Sequence, residues 1–130
     1  MLMQYHNDMS LRELERLKAV NRFLRLESSK DAELKEIVEL AARMCGTSVA
    51  LITLLDQDTQ HIIHRTGIQL VETHRRDAFC DHVVSKGEYF EVGNALLDER
   101  FVDNPLVTGS PDIRFYAGAP LVTQDGLNLG

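Results

Sequence analysis

The amino-acid sequence predicts an α+β fold built on an antiparallel sheet. Apolar residues recur every three to four positions over 10–26 and 31–45, which indicates two amphipathic helices at the start of the chain. Two β-rich runs, 48–56 and 61–67, are separated by a short polar turn and predict a hairpin. The Asp-Gly pair at 125–126 predicts a second turn, because glycine adopts positive φ without steric strain. Helices must cover at least one face of such a sheet.

The ends of the first two helices carry recognisable capping residues. Ser10 and Glu13 have the spacing of a capping box at the start of the first helix. Gly46 is placed to end the second helix in a left-handed conformation. The sequence therefore predicts a flexible N-terminus over 1–9, followed by one domain over 10–130.

The second half of the chain combines one short helix with two further strands. The helix is predicted over about 74–85, with Thr73 as its cap and Gly87 as its end. Phe79 and the valines that follow it face inward on this helix. Strands are predicted at 89–94 and 114–123.

The connection between these strands, 95–113, is long for a compact domain, and such connections often bind ligands. Alternation along the next strand places Arg114, Tyr116 and Gly118 on one face. The small residues at 117–119 let another group approach the sheet closely. Either a helix packs there, or a small-molecule cavity lies under the long connection.

Composition narrows the function classes. The net charge of −6 argues against nucleic-acid binding, which needs a basic surface. No apolar run is long enough to span a membrane, so we expect no membrane contact. Cys45 and Cys80 form no CxxC motif, so we expect reduced thiols in a cytoplasmic protein. Basic residues alternate with acidic ones and are predicted to lie on solvated faces: Arg12, Arg16, Lys18, Arg22, Arg25, Arg75 and Arg76.

Cysteine and histidine residues give little evidence of catalysis. Cys80 and His82 point about 200° apart on a helix and do not form a nucleophile–base pair. Cys80 is predicted to be either a small buried residue or a thiol that lines a pocket. His61 and His64 are predicted to lie on opposite faces of one strand. His64 is either a structural histidine or a ligand contact, and no metal-binding motif is present.

Four segments of the chain resemble the GAF domain, in the form found N-terminally in bacterial sensor histidine kinases and diguanylate cyclases. They are ELERLKAVNRFLRL, IVELAARMCGTSVALITLLDQDTQ, GIQLVETHRRDAFCDHVV and, most distinctive, LLDERFVDNPLVTGSPDIRFYAGAPLVTQDGLNLG. The resemblance covers about 11–130. It departs from the family pattern at His74, where a proline commonly follows the threonine.

The resemblance implies a non-catalytic sensory domain with helices on both faces of the sheet, a small-molecule pocket and homodimers formed through the terminal helices. The output domain belongs to the same parent polypeptide. The family binds cyclic nucleotides, bilins, haem or metabolites, or no known ligand, so the cofactor is unknown. By position, the resemblance assigns these pocket residues: Thr53, His64, Phe79, Cys80, Val83, Phe101, Arg114 and Tyr116.

The resemblance also implies a last central strand and a C-terminal helix, which are missing here. The chain is then a fragment of a longer signalling protein or a truncated gene product, and we expect low stability or an intertwined dimer. Two other functions stay open, namely a structural dimer module and a thiol-based reductase. Close packing of Phe79, Phe101 and Tyr116 favours the structural module.

Overall fold

The structure is a computed structural model that describes residues 2–26 and 30–130, with side chains described from residue 11 onward. It has the predicted α+β fold, with antiparallel strands in two small sheets. The elements are α1 (Leu2–Arg25), α2 (Asp31–Cys45), β1 (Ala50–Leu55), β2 (Thr59–Thr66), β3 (Glu72–His74), α3 (Cys80–Lys86), β4 (Phe90–Val92), α4 (Pro105–Thr108) and β5 (Tyr116–Gly118).

The first two helices differ in how well their ends were predicted. Helix α2 has the predicted bounds, and Gly46 ends it at φ 66°. Helix α1 begins at Leu2, so Ser10 lies within the helix and the predicted capping box does not start it. The division into a flexible 1–9 and a domain from residue 10 stays a prediction, and Met1 lies outside the described residues.

Strands β1 and β2 form the predicted hairpin, and β3 pairs with the far edge of β2. Ile52 lies opposite His64 and Thr53 lies opposite Ile62, so the intervening residue, Ile63, is the extra residue of a bulge in β2. Directly opposed residues share a face of the sheet. The bulge therefore brings His61 and His64 to the same face, and the prediction that they lie on opposite faces is wrong.

Helices cover both faces of the first sheet at β1, as predicted. Leu54 packs with Ala19 and Val20 of α1, in a cluster that also includes Leu129. The preceding residue, Thr53, points to the other face, which α3 contacts. The apolar stripe predicted along α1 is only partly buried, because Leu11 is 58% exposed.

The helix predicted over 74–85 is divided into two pieces. Residues Arg75–Asp77 form a 3₁₀ turn, and α3 begins only at Cys80. Thr73 is not a cap, because it lies within β3, and the residues that precede the 3₁₀ turn and α3 are His74 and Phe79. Gly87 ends α3 at φ 67°, as predicted.

The C-terminal turn forms as predicted, with Gly126 at φ 83°. The backbone amide of Leu129 donates to the Leu121 carbonyl at 2.8 Å, and the Leu129 carbonyl accepts from the Leu55 amide at 2.8 Å. Residues 127–130 thus lie between β1 and the segment after β5, where the resemblance places a central strand. The predicted strand 114–123 is regular only over Tyr116–Gly118, where it pairs with β4.

Candidate functional site

A group of aromatic rings fills the space beneath the connection 95–113. The Phe79 and Phe101 rings stack with centroids 4.1 Å apart and an interplanar angle of 10°. The Tyr116 ring lies 5.2 Å from Phe79, and Phe90 lies 6.0 Å from Phe101. We call Phe79, His82, Phe90, Phe101 and Tyr116 the aromatic cluster. Its rings contact one another directly, so the space predicted for a ligand is occupied by side chains.

Polar groups meet the aromatic cluster at Cys80. The Tyr116 hydroxyl donates a hydrogen bond to Cys80 Sγ at 3.2 Å, and the Thr53 side chain interacts with the same thiol. Burial raises the pKa of the Cys80 thiol, and burial likewise raises the pKa of Tyr116. Both groups are therefore neutral near pH 7, and the thiol is a weak nucleophile.

Gly118 explains the small residues noted in β5. A Cβ at this position would overlap the hydroxyl end of the Tyr116 side chain. Both residues face the cluster side of β5, whereas Ala117 between them is exposed. The group that approaches the sheet here is thus the ring of Tyr116 itself, which gives a structural reason for glycine at 118.

His82 and Arg100 belong to this site although neither is among the pocket residues that the resemblance assigns. The His82 ring stacks on Phe90 with centroids 5.2 Å apart and meets the Phe101 ring edge-on at 5.0 Å. The Arg100 guanidinium lies 4.9 Å from the centre of the Phe90 ring and pairs with Asp98 at 2.7 Å. Burial and then the charge of Arg100 lower the pKa of His82. A cation therefore covers the outer side of the aromatic cluster.

The predicted pocket residues divide into a group that meets and three that stand apart. Thr53, Phe79, Cys80, Phe101 and Tyr116 meet in and around the aromatic cluster. Of the remaining three, Val83 is a buried residue of α3. Arg114 is exposed and donates to the Val107 carbonyl at 2.9 Å. His64 lies 3.3 Å from Asp31 of α2. His64 shares the α1 face of the sheet and does not meet the others.

Of the arginines predicted to lie on solvated faces, Arg16 is buried and Arg75 is half-buried. Arg16 is only 5% exposed, and its Nη1 donates to the Leu55 carbonyl at 2.6 Å. Arg75 pairs with Asp81 at 2.8 Å and lines a surface cleft of about 440 Å³ with Gln57 and other polar residues. One acceptor of each arginine comes from a distant part of the chain, Leu55 for Arg16 and Glu13 for Arg75, so interleaved charges in the sequence could not predict these contacts.

The part of the chain that the structure describes has neither a metal-binding cluster nor a membrane-spanning helix. Within 2–26 and 30–130, no three histidine, cysteine or carboxylate side chains are grouped closely enough to hold a metal ion. In the same ranges, no helix has the length and apolar character needed to cross a membrane.

Fold and site together define a class, the small α+β domains whose antiparallel sheet has helices on both faces and, beside one of them, a cluster of side chains covered by a long loop. The family model of the GAF domain matches residues 29–130. The chain belongs to the GAF domain family, and the resemblance to that family is confirmed.

A curated relative indicates a signalling context. The chain is 47% identical over 105 residues to a cyclic di-GMP phosphodiesterase of Pseudomonas aeruginosa, a match that covers 81% of this chain and 18% of the relative. The chain thus spans less than a fifth of that protein's length. The relative is named as a phosphodiesterase, whereas the resemblance suggested a histidine kinase or a diguanylate cyclase.

Solved structures confirm the fold. A GAF domain from an Acinetobacter phosphoenolpyruvate-protein phosphotransferase superposes with a TM-score of 0.59 at 19% identity, covering 91% of this chain and 72% of that chain. The corresponding GAF domain from Coxiella burnetii gives a TM-score of 0.61 at 14% identity, covering 91% and 74% of the two chains.

Proposed function

We propose that this chain is the sensory domain of a cytoplasmic cyclic di-GMP signalling protein, and that a separate module of the same polypeptide carries out catalysis. The match to the curated relative carries this proposal, because most of the present chain aligns with less than a fifth of a cyclic di-GMP enzyme. Both cysteines are free, which fits a reducing compartment.

The ligand pocket of this sensor is the aromatic cluster in an opened state. Phe79 and Phe101 offer flat apolar faces, while Tyr116 Oη and the Thr53 side chain offer polar anchors beside them. Such a lining suits a small planar molecule with a few hydrogen-bonding groups. Because the rings now contact one another, binding requires Phe101 and the connection 95–113 to move outward.

The close ring packing also favours a second function, a structural dimer module that binds no ligand. Helix α2 exposes Ile37, Leu40 and Met44 at helical spacing, and Leu11 and Leu14 of α1 are exposed as well. An apolar stripe of this kind suits association with a second copy of the chain. The thiol-based reductase is disfavoured, because the raised pKa of Cys80 reduces its thiolate fraction.

Native mass spectrometry of the 130-residue chain, followed by thermal-shift assays with cyclic AMP and haem as probes, tests these functions. A sensor is expected to retain a small molecule or to melt at a higher temperature with a probe. Tyr116→Phe should weaken that effect, whereas Phe115→Ala, which removes an exposed ring, should not. A bare dimer that no probe stabilises would favour the structural module, and a bare monomer would contradict both functions.

Catalysis by the chain itself is tested separately. Incubation of the purified chain with cyclic di-GMP should leave the dinucleotide intact, because we place the catalytic module elsewhere in the parent polypeptide. Hydrolysis by this chain, at a rate that follows its concentration, would overturn the proposal of a non-catalytic domain.

A further inference from the structure

Arg75 joins three segments that are distant in the sequence. Its Nη1 donates to Glu13 Oε1 of α1 at 2.7 Å and to the Asp56 carbonyl after β1 at 3.2 Å. Its Nε donates to Asp81 Oδ1 of α3 at 2.8 Å. The side chain is only 17% exposed. One planar guanidinium therefore holds α1, the end of β1 and α3 in a fixed relation.

The α1 side of this connection is itself fixed to the sheet. The Glu13 carboxylate accepts two hydrogen bonds from Arg16, at 2.9 Å and 3.0 Å. Arg16 in turn donates to the Leu55 carbonyl at 2.6 Å and to the Asn128 carbonyl at 3.4 Å. Arg16 thus holds the Glu13 carboxylate in place through backbone carbonyls outside α1. A displacement of Glu13 therefore displaces α1, whereas a free surface side chain would simply change its conformation.

The α3 side of the connection begins beside the aromatic cluster. Asp81 directly follows Cys80, whose thiol accepts the Tyr116 hydrogen bond. Helix α3 spans only seven residues, Cys80–Lys86, so Cys80 and Asp81 lie together in its first turn. A shift of α3 away from Tyr116 must either break the Asp81–Arg75 pair or displace Arg75, and with it Glu13.

From these contacts we propose that the Glu13–Arg75–Asp81 bridge couples the aromatic cluster to α1, so that a change in the position of α3 alters the order of α1. The proposal rests on the proposed sensory function, for which it supplies the internal route from pocket to helix. Coupling of this kind requires a structural element whose conformational equilibrium shifts when either end is perturbed, and the bridge between α1 and α3 is that element.

Hydrogen-exchange mass spectrometry on the 130-residue chain tests the bridge from both ends. Asp81→Asn removes the charge at α3, and exchange should become about fivefold faster or more in residues 11–25 of α1 as well as in α3. Glu13→Gln should accelerate exchange in α3 in the same way. The matched control is Arg76→Ala, since the neighbouring Arg76 side chain is 81% exposed and should affect neither helix.

The outcomes are distinct. Faster exchange in both α1 and α3, with α2 unchanged, supports the bridge. In an Arg75→Ala background, Asp81→Asn should cause no further acceleration of exchange in α1. If that background does not fold, the two single variants carry the test. Faster exchange confined to α3, or equal acceleration in α1, α2 and β2, would overturn the proposal. Because this readout needs no ligand, the bridge and the sensory function fail independently.

Discussion

Arg75 Nη1 lies 2.7 Å from Glu13 Oε1, although 62 positions of sequence separate the two residues. The same carboxylate also receives both hydrogen bonds from Arg16. The hydrogen bond from Arg16, and then that from Arg75, lower the pKa of Glu13 despite its partial burial. Glu13 is therefore ionised at neutral pH and compensates two arginine charges at the junction of α1, β1 and α3.

Arg16→Ala should lower the free energy of unfolding by about 2–3 kcal/mol, because it removes two of the hydrogen bonds to the Glu13 carboxylate and the buried hydrogen bond to the Leu55 carbonyl. Urea denaturation at pH 7 measures the change. Arg12→Ala removes an exposed arginine from the same helix and should stay within about 0.5 kcal/mol of the parent chain. Equal losses for the two variants would mean that the buried contacts of Arg16 contribute no net stability.

Phe101→Ala should destabilise the chain by about 3–4 kcal/mol, since Phe101 is fully buried and stacks on Phe79. Phe115→Ala provides the matched control, because that ring is 47% exposed and its loss should cost less than about 1 kcal/mol. A Phe101→Ala variant as stable as the parent would show that the rings do not form a packed core.

The sequence predicted the elements whose patterns are local. Helix α2 and its Gly46 end were correct, because both the apolar period and the capping glycine lie within one segment. The hairpin of β1 and β2 was correct for the same reason. The Ile63 bulge carries no such signal in the sequence, because β-branched residues are normal in a strand. Without the bulge, His61 and His64 were predicted on opposite faces of the sheet, whereas they share one face.

The site was harder to predict than the fold because its contacts are long-range. Phe79 and Tyr116, which family position assigned to one pocket, lie side by side in the structure, but family position gave no reason to include His82 or Arg100. The contacts of Arg75 depend on acceptors from α1, from Asp56 after β1 and from α3, which only the folded chain assembles. That the residues of the aromatic cluster bind a ligand stays a prediction.

His82 should make stability depend on pH near neutrality. An unfolded histidine has a pKa of 6.5, and burial together with Arg100 lowers the pKa of His82 in the folded chain. Between these two values the unfolded state binds more protons. The stability due to neutral His82 is therefore complete above pH 6.5 and is lost as the pH falls through the lowered folded value.

Thermal midpoints at about pH 7.5 and about pH 5.5, two values on either side of an ordinary histidine pKa, measure this dependence. The midpoint should fall at the lower pH, and it should fall less in His82→Phe, which keeps a ring against Phe90. His74→Gln changes an exposed histidine, so its thermal midpoint should fall by as much as that of the parent chain. A His82→Phe variant with the parent's full pH dependence would contradict the assigned role of His82.

The two thiols should differ strongly in reactivity. Cys45 is exposed at the end of α2, whereas Cys80 accepts the Tyr116 hydrogen bond and has its pKa raised by burial. Alkylation with iodoacetamide near pH 7 should therefore modify Cys80 at least about tenfold more slowly than Cys45, because the thiolate is the reacting form. Peptide mass spectrometry follows both sites in one sample, and in urea the two rates should converge. Faster modification of Cys80 in the folded chain would reveal an accessible thiolate and would favour the thiol-based reductase over the sensory domain.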